Sequence, residues 1–243
     1  MAKSVLEKVL PKRLLVPEGS FLMGSRGLRD DEEPEHRVFV SGFEMAATPV
    51  TREDYEIYLQ STGAEPPPWW NDPAFSRSRQ PVVGVNWREA TAYCLWLSQE
   101  TGLDFRLPTE AEREKAARGG RVGLQFPWGD DSAGGGHSRL DGPLDRPDDV
   151  AVTPPNGYGL FNMADNVHEW CLDGYHSGFY KASPEENPCA PPTTIRRSAR
   201  GGSWRHQCVV TRCAARSSLP PALHYSDFGF RWVRLFTAER GLK

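Results

Sequence analysis

The chain has no run of apolar residues approaching the about 20 that a membrane-spanning helix needs, so its sequence predicts no helical span. It has no block of like charge, no low-complexity linker and no repeat of fixed period. Those absences argue against a solenoid or a string of modules. The formal net charge is only −3, from 29 basic and 32 acidic residues. That balance makes no electrostatic case for nucleic acid or an anionic membrane as partner. Cysteine is sparse and odd in number: Cys94, Cys171, Cys189, Cys208 and Cys213 do not make a complete disulfide framework. The segment Met1–Leu6 lacks the apolar core of a secretory signal. Together these features predict free thiols in a reducing cytoplasm.

Hydrophobic residues are also scarce, at 38% of the 243 positions, whereas Gly (23), Pro (21) and Trp (8) are plentiful. That mix predicts a loop-rich fold pinned by aromatic anchors rather than by long helices. The expected layout is a lead-in over 1–13, one domain over 14–236 and a tail over 237–243. A domain of that length buries a sizeable core.

Two apolar runs around Pro17-Glu18-Gly19, Leu14–Val16 and Ser20–Gly24, read as a hairpin. The charged segment 26–36 reads as a solvated loop. Val38–Val40 and Phe43–Met45 read as strands. Three helices have start signals. Thr51 caps 52–61, Asn86 with Glu89 caps 87–100 before Gly102, and Thr109 with Glu112 forms a capping box for 110–118 before Gly119. Beyond residue 120 helical periodicity fades; Gly134–Gly136 and Asp141–Asp149 are loop by composition. Short strands are expected at Trp204, Val209-Val210, Ala214-Ala215 and Phe230–Val233. The class is therefore α+β, with helices early and short antiparallel strands late.

The residues that carry chemistry cluster late. Arg200-Gly201-Gly202-Ser203-Trp204-Arg205-His206-Gln207-Cys208 is followed by Arg212-Cys213-Ala214-Ala215-Arg216. Arg196, Arg197, Arg200, Arg205, Arg212 and Arg216 form a local basic group, read either as a docking patch for an acidic partner or as paired structural arginines. No His-x-x-x-His with a nearby carboxylate occurs, and no strand and Lys-Ser/Thr pair frame Gly134–Gly136 as a phosphate loop. The tryptophans read as core anchors.

Eight motifs follow one another in a recognisable order. They are Val16–Gly24, Thr48-Pro49-Val50-Thr51, Pro81–Trp87, Phe105–Glu112, Phe126–Asp130, Pro155–Met163, Asn166-Val167-His168-Glu169-Trp170 and the Gly-Gly-Ser-Trp region. The series resembles the formylglycine-generating enzyme (sulfatase-modifying factor) family from about Leu15 to Val233. The resemblance implies a modified C-type-lectin-like α+β domain. It also implies one of two activities. One is oxidation of a cysteine in a sulfatase-type substrate to formylglycine, using oxygen and a Cu(I) ion on two cysteines. The other is a non-catalytic binding module, for example an immunity protein neutralising a toxin effector.

The family's cysteine pair lies five residues apart. Counted forward from Gly201-Gly202-Ser203, the first position falls on His206. Counted back from Ala214-Ala215-Arg216, the second falls on Cys208. Three readings stay open: a metal pair of His206 and Cys208, a shifted pair of Cys208 and Cys213, or ordinary buried cysteines. The register favours a protein that has lost the copper-oxidase site and binds another protein. The resemblance further implies a structural Ca²⁺ on the Asn162 side chain, the carbonyls of Asp165 and Val167, and Glu169, oxygen donors suited to a hard cation. The alternative is a turn whose polar groups satisfy one another.

Overall fold

In a computed structural model of the chain, the structure describes residues 10, 12–130, 145–206 and 211–236. The expected lead-in and tail, the Gly134–Gly136 loop, Val209-Val210 and Cys208 lie wholly or largely outside these residues.

The chain opens with β1 (Arg13–Val16), β2 (Gly19–Met23), β3 (His36–Val40) and β4 (Phe43–Ala46). Here the expected hairpin is corrected. β1 pairs antiparallel with β4, Val16 opposite Phe43, while β2 pairs with β3, Gly19 opposite Val40. Pro17 has no N–H to give to a ladder, and Gly19 sits at φ 139°, which carries the chain out of one sheet into another. The 26–36 segment is corrected too. It forms a 3₁₀ turn at Asp30–Glu32 that buries Asp31 and Glu32. The Glu32 carboxylate accepts two hydrogen bonds from Arg212, at 2.6 and 2.7 Å. Charge is a poor guide to exposure when a distant partner neutralises it.

The helices follow their caps. α1 spans Arg52–Thr62, α2 Trp87–Thr101 and α3 Glu110–Arg118. Each begins with a complete capping box, Thr51/Asp54, Asn86/Glu89 and Thr109/Glu112. Each ends on a glycine at positive φ: Gly63, Gly102 and Gly119. Each such cap is worth about 1 kcal/mol. After β5 (Phe105–Arg106) and α3 come β6 (His168–Gly174), β7 (Arg197–Arg200), β8 (Arg216–Leu219), β9 (Phe228–Gly229) and β10 (Val233–Leu235). Trp204 and Ala214-Ala215 lie in turns, so β8 begins one residue beyond the expected strand.

One sheet runs β1-β4-β10-β5; another runs β8-β7-β6-β9, with β6 and β9 parallel and the other pairs antiparallel. An aromatic core joins α1 and α2 to the second sheet: Tyr55, Tyr93, Phe230 and Trp232 with Trp170. Tyr55 and Tyr93 stack at 5.7 Å, and Phe230 meets Tyr93 edge-on at 5.2 Å.

The other centre is ionic. All nine residues of α3 are buried, and the helix touches β2, β3, β6 and β7. Glu110 accepts from Arg200 and Arg216, Glu114 from Arg118 and Arg200. Arg200, Arg212 and Arg216 are thus paired structural arginines, not a docking patch. A buried charge in such a network needs its partner, because its desolvation cost is otherwise uncompensated.

Candidate functional site

The site is built from the turn that follows β7. Gly201 lies at φ 82°. A Cβ on Gly202 would sit 2.0 Å from Thr211 Cγ2, so only glycine lets the chain pass there. The turn then buries Ser203 completely. The Trp204 N–H donates to the Asn166 carbonyl at 2.8 Å, and the His206 N–H to the Ser203 carbonyl at 3.0 Å. His206 is thereby delivered beside His168, the first residue of β6; the ring centroids are 4.8 Å apart and inclined at 66°. Asp227 arrives from the loop before β9, where Phe228 pairs with His168.

His168, His206 and Asp227 each offer one ligand atom, and these atoms all lie within 4.8 Å of one another. His168 and Asp227 are buried and His206 half-buried. The Ser203 hydroxyl donates to Asp227 Oδ2 at 2.9 Å and lies 3.4 Å from His206 Nδ1. His168 Nδ1 is buried and has no hydrogen-bond partner among the described residues. Burial, then the neighbouring His206, pushes the His168 imidazole down to about 4. Burial also lowers His206, against the pull of Asp227. Both rings are therefore neutral near pH 7 and keep a nitrogen lone pair. Two neutral imidazoles beside a carboxylate can take up a proton or hold a cation.

Of the expected site residues, only His206 stands in this cluster. The structure does not bring Cys213 to this cluster: it is buried in the core formed by Val38, Met45, Met163 and their neighbours. Burial pushes its thiol up to about 12, despite the opposing Arg118. A thiol that stays protonated is a poor nucleophile, and its burial keeps it away from any surface groove. Cys208 lies outside the described residues.

The expected calcium ligands have protein partners of their own. Glu169 is fully buried between two guanidinium groups: Oε2 accepts from Arg113 Nε at 2.8 Å and Arg231 Nε at 2.6 Å, and Oε1 from Arg231 Nη2 at 2.8 Å. The Asn162 carbonyl oxygen accepts from the Ala151 N–H at 3.0 Å, and its amide donates to Asp165 Oδ1 at 3.1 Å. The Asp165 main-chain carbonyl accepts from the Val167 N–H at 2.8 Å. N–H donors engage the Asn162, Asp165 and Glu169 oxygens that calcium would need, and two arginines already supply the positive charge. The donor set does not fit the ion.

Sequence reasoning missed His168 and Asp227. His168 lies inside a motif read for its oxygen donors, and Asp227 lies just before the Phe230–Val233 strand candidate. The one available signal was an imidazole in an otherwise buried motif. Nothing in the spacing of three separate segments announces that they meet.

A family model for the sulfatase-modifying factor enzyme 1-like domain matches residues 2–236. The chain is 35% identical over 247 residues to the serine/threonine-protein kinase pkn1 of Chlamydia pneumoniae, covering 94% of this chain but 38% of that protein. It is 33% identical to the formylglycine-generating enzyme of Streptomyces coelicolor, over 89% of this chain and 87% of that one. Among solved structures, PvdO from Pseudomonas aeruginosa superposes with a TM-score of 0.81 at 28% identity, over 93% of this chain and 95% of that one. Motif order, fold and these likenesses agree: the chain belongs to the sulfatase-modifying factor enzyme 1-like family, that of the formylglycine-generating enzymes.

Proposed function

We propose that this chain has lost the two-thiolate copper site of the formylglycine-generating enzymes and acts as an enzyme through the imidazole–carboxylate cluster at the same corner of the fold. One observation carries the reading. His206, at the first-cysteine position, packs against His168 and Asp227, while Cys213 is withdrawn into the core. The corner thus presents nitrogen and oxygen donors, and half-buried His206 is the group that a substrate meets. The kinase-named relative contributes no activity to this reading, because the chain spans 38% of that protein's length. The described cysteines, Cys94, Cys171, Cys189 and Cys213, are all free, which supports a reducing, cytoplasmic setting.

The direct test is aerobic incubation with Cu(I) and a cysteine peptide of the sulfatase type. The reading expects no formylglycine by mass spectrometry. Copper-dependent conversion of the cysteine would overturn it.

A second reading, a protein-binding module such as an immunity protein against a toxin effector, is favoured by Leu223 and Tyr225. Both are 43% exposed on the loop that leads to Asp227. A host partner captured by the wild type and by His206→Ala, but lost in Leu223→Asp, would favour the second reading over the first.

A further inference from the structure

We propose that His168, His206 and Asp227 bind one divalent first-row transition-metal ion, with two imidazole nitrogens and one carboxylate oxygen as the protein ligands. The proposal rests on the functional reading only in using the same corner of the fold; it concerns occupancy, not turnover.

Three observations carry it. The three donor atoms lie within 4.8 Å of one another. His168 Nδ1 is buried and has no partner at hydrogen-bond distance among the described residues, whereas buried polar atoms are ordinarily satisfied. Third, the carboxylate is held from behind. The Ser203 hydroxyl donates to Asp227 Oδ2 at 2.9 Å, the kind of outer contact that orients a metal-bound carboxylate.

The elements behind two of the donors are joined by main-chain pairing. His168 begins β6, and its N–H donates to the Asp227 carbonyl at 2.9 Å, so two of the three ligands are fixed to each other through the main chain. A metal that holds N and O ligands at about 2.0–2.2 Å brings such atoms to about 2.8–3.6 Å of one another, depending on its geometry. The closing movement falls on His206, half-buried and carried by a turn.

The donor chemistry narrows the ion. No thiolate among the described residues joins the cluster, which disfavours Cu(I); one carboxylate without a cage of carbonyls disfavours Ca²⁺ and Mg²⁺. Imidazole suits iron, zinc, cobalt, nickel and Cu(II), and two histidines with one carboxylate is the donor set of mononuclear non-haem iron(II) centres. Three protein ligands leave coordination positions open, as catalytic rather than structural sites do.

The test strips the purified full chain with a chelator and titrates it anaerobically with Co(II), then Fe(II), by equilibrium dialysis and by the visible cobalt bands. One ion per chain is expected, with a rise in melting temperature. His206→Ala and Asp227→Asn should each weaken binding about 100-fold, at or beyond the upper end of what losing an outer contact costs. Cys208→Ser and Cys213→Ser should leave it unchanged. Because His168 is buried, the decision rests on His206→Ala, with an unchanged metal-free melt as control. No retained Co(II) in the wild type, equal retention in His206→Ala, or loss in Cys208→Ser would each overturn the site. Cobalt bound here in a protein that still converts a cysteine peptide through thiolates would overturn the functional reading alone. Failure of both cobalt binding and peptide conversion would overturn the metal site alone.

Discussion

The main-chain N–H of His168 donates to the carbonyl of Asp227 at 2.9 Å, tying the first residue of β6 to the last residue before β9. This bond makes the cluster a property of the sheet rather than of two independent loops. The side chains it positions are then trimmed by Ser203. Ser203→Ala removes the hydroxyl that reaches Asp227 and leaves a buried carboxylate short of a donor. Urea unfolding should show a loss of about 1–3 kcal/mol, and Co(II) affinity should fall about 10-fold. An unchanged midpoint with unchanged affinity would remove Ser203 from the account.

Gly202 tests the turn. The Cβ of Gly202→Ala would lie 2.0 Å from Thr211 Cγ2 and 2.6 Å from Thr211 Cβ, and neither atom is the end of a flexible chain. The substitution should cost about 1–3 kcal/mol or more by overpacking, and should displace His206 from His168. Thermal melts check the first effect; the cobalt titration checks the second.

Glu169 tests the calcium expectation. It is buried between Arg113 and Arg231, so Glu169→Gln leaves two guanidinium groups without their counter-charge. Loss of a buried ionic partner costs about 3–5 kcal/mol, read as a large fall in melting temperature. Chelation of calcium should leave the wild-type melt unmoved. A chelator-dependent drop in melting temperature, reversed by Ca²⁺, would restore the ion to this turn.

Glu110, the first residue of α3, and Asp173 of β6, whose Oδ2 accepts from the Glu110 N–H at 2.8 Å, titrate in opposite directions. Burial would raise Glu110, but Arg216 and Arg200 outweigh it and hold the group at about 2, below its ordinary 4.5. Its contribution is therefore present above pH 4.5 and is lost as pH falls toward 2. Asp173 is raised to about 7, from an ordinary 3.8, by burial and by Glu110. The folded chain holds a proton there that the unfolded chain releases, so stability declines as pH rises from about 4 to 7. Urea midpoints across pH 3–8 should show both limbs, and Asp173→Asn should flatten the upper one. A wild-type midpoint that climbs from pH 5 to 7, unaffected by Asp173→Asn, would contradict this assignment.

Local signals were read correctly where they act locally. Thr51, Asn86 and Thr109 announce helix starts because a cap is satisfied within three residues, and Gly102 and Gly119 mark ends for the same reason. Strand pairing was less legible: Leu14–Val16 and Ser20–Gly24 look like hairpin arms, yet β1 and β2 take different partners, a choice made by chain segments far away. Glu32 was read as solvated because its partner, Arg212, lies 180 positions on. The site divides the same way. Counting from Gly201-Gly202-Ser203 located His206, since the turn and the histidine are neighbours. His168 and Asp227 became visible only when β6 and β9 paired.

The central claim is that thiolate chemistry has left this corner. It is tested most directly by titrating Cu(I) against a competing chelator of known strength, in the wild type, Cys208→Ser and Cys213→Ser. The expected result is no tightly held Cu(I) that depends on Cys213, which is buried in the core, and the same weak binding in all three proteins. One equivalent of Cu(I) held tightly by the wild type, and released by either substitution, would contradict it.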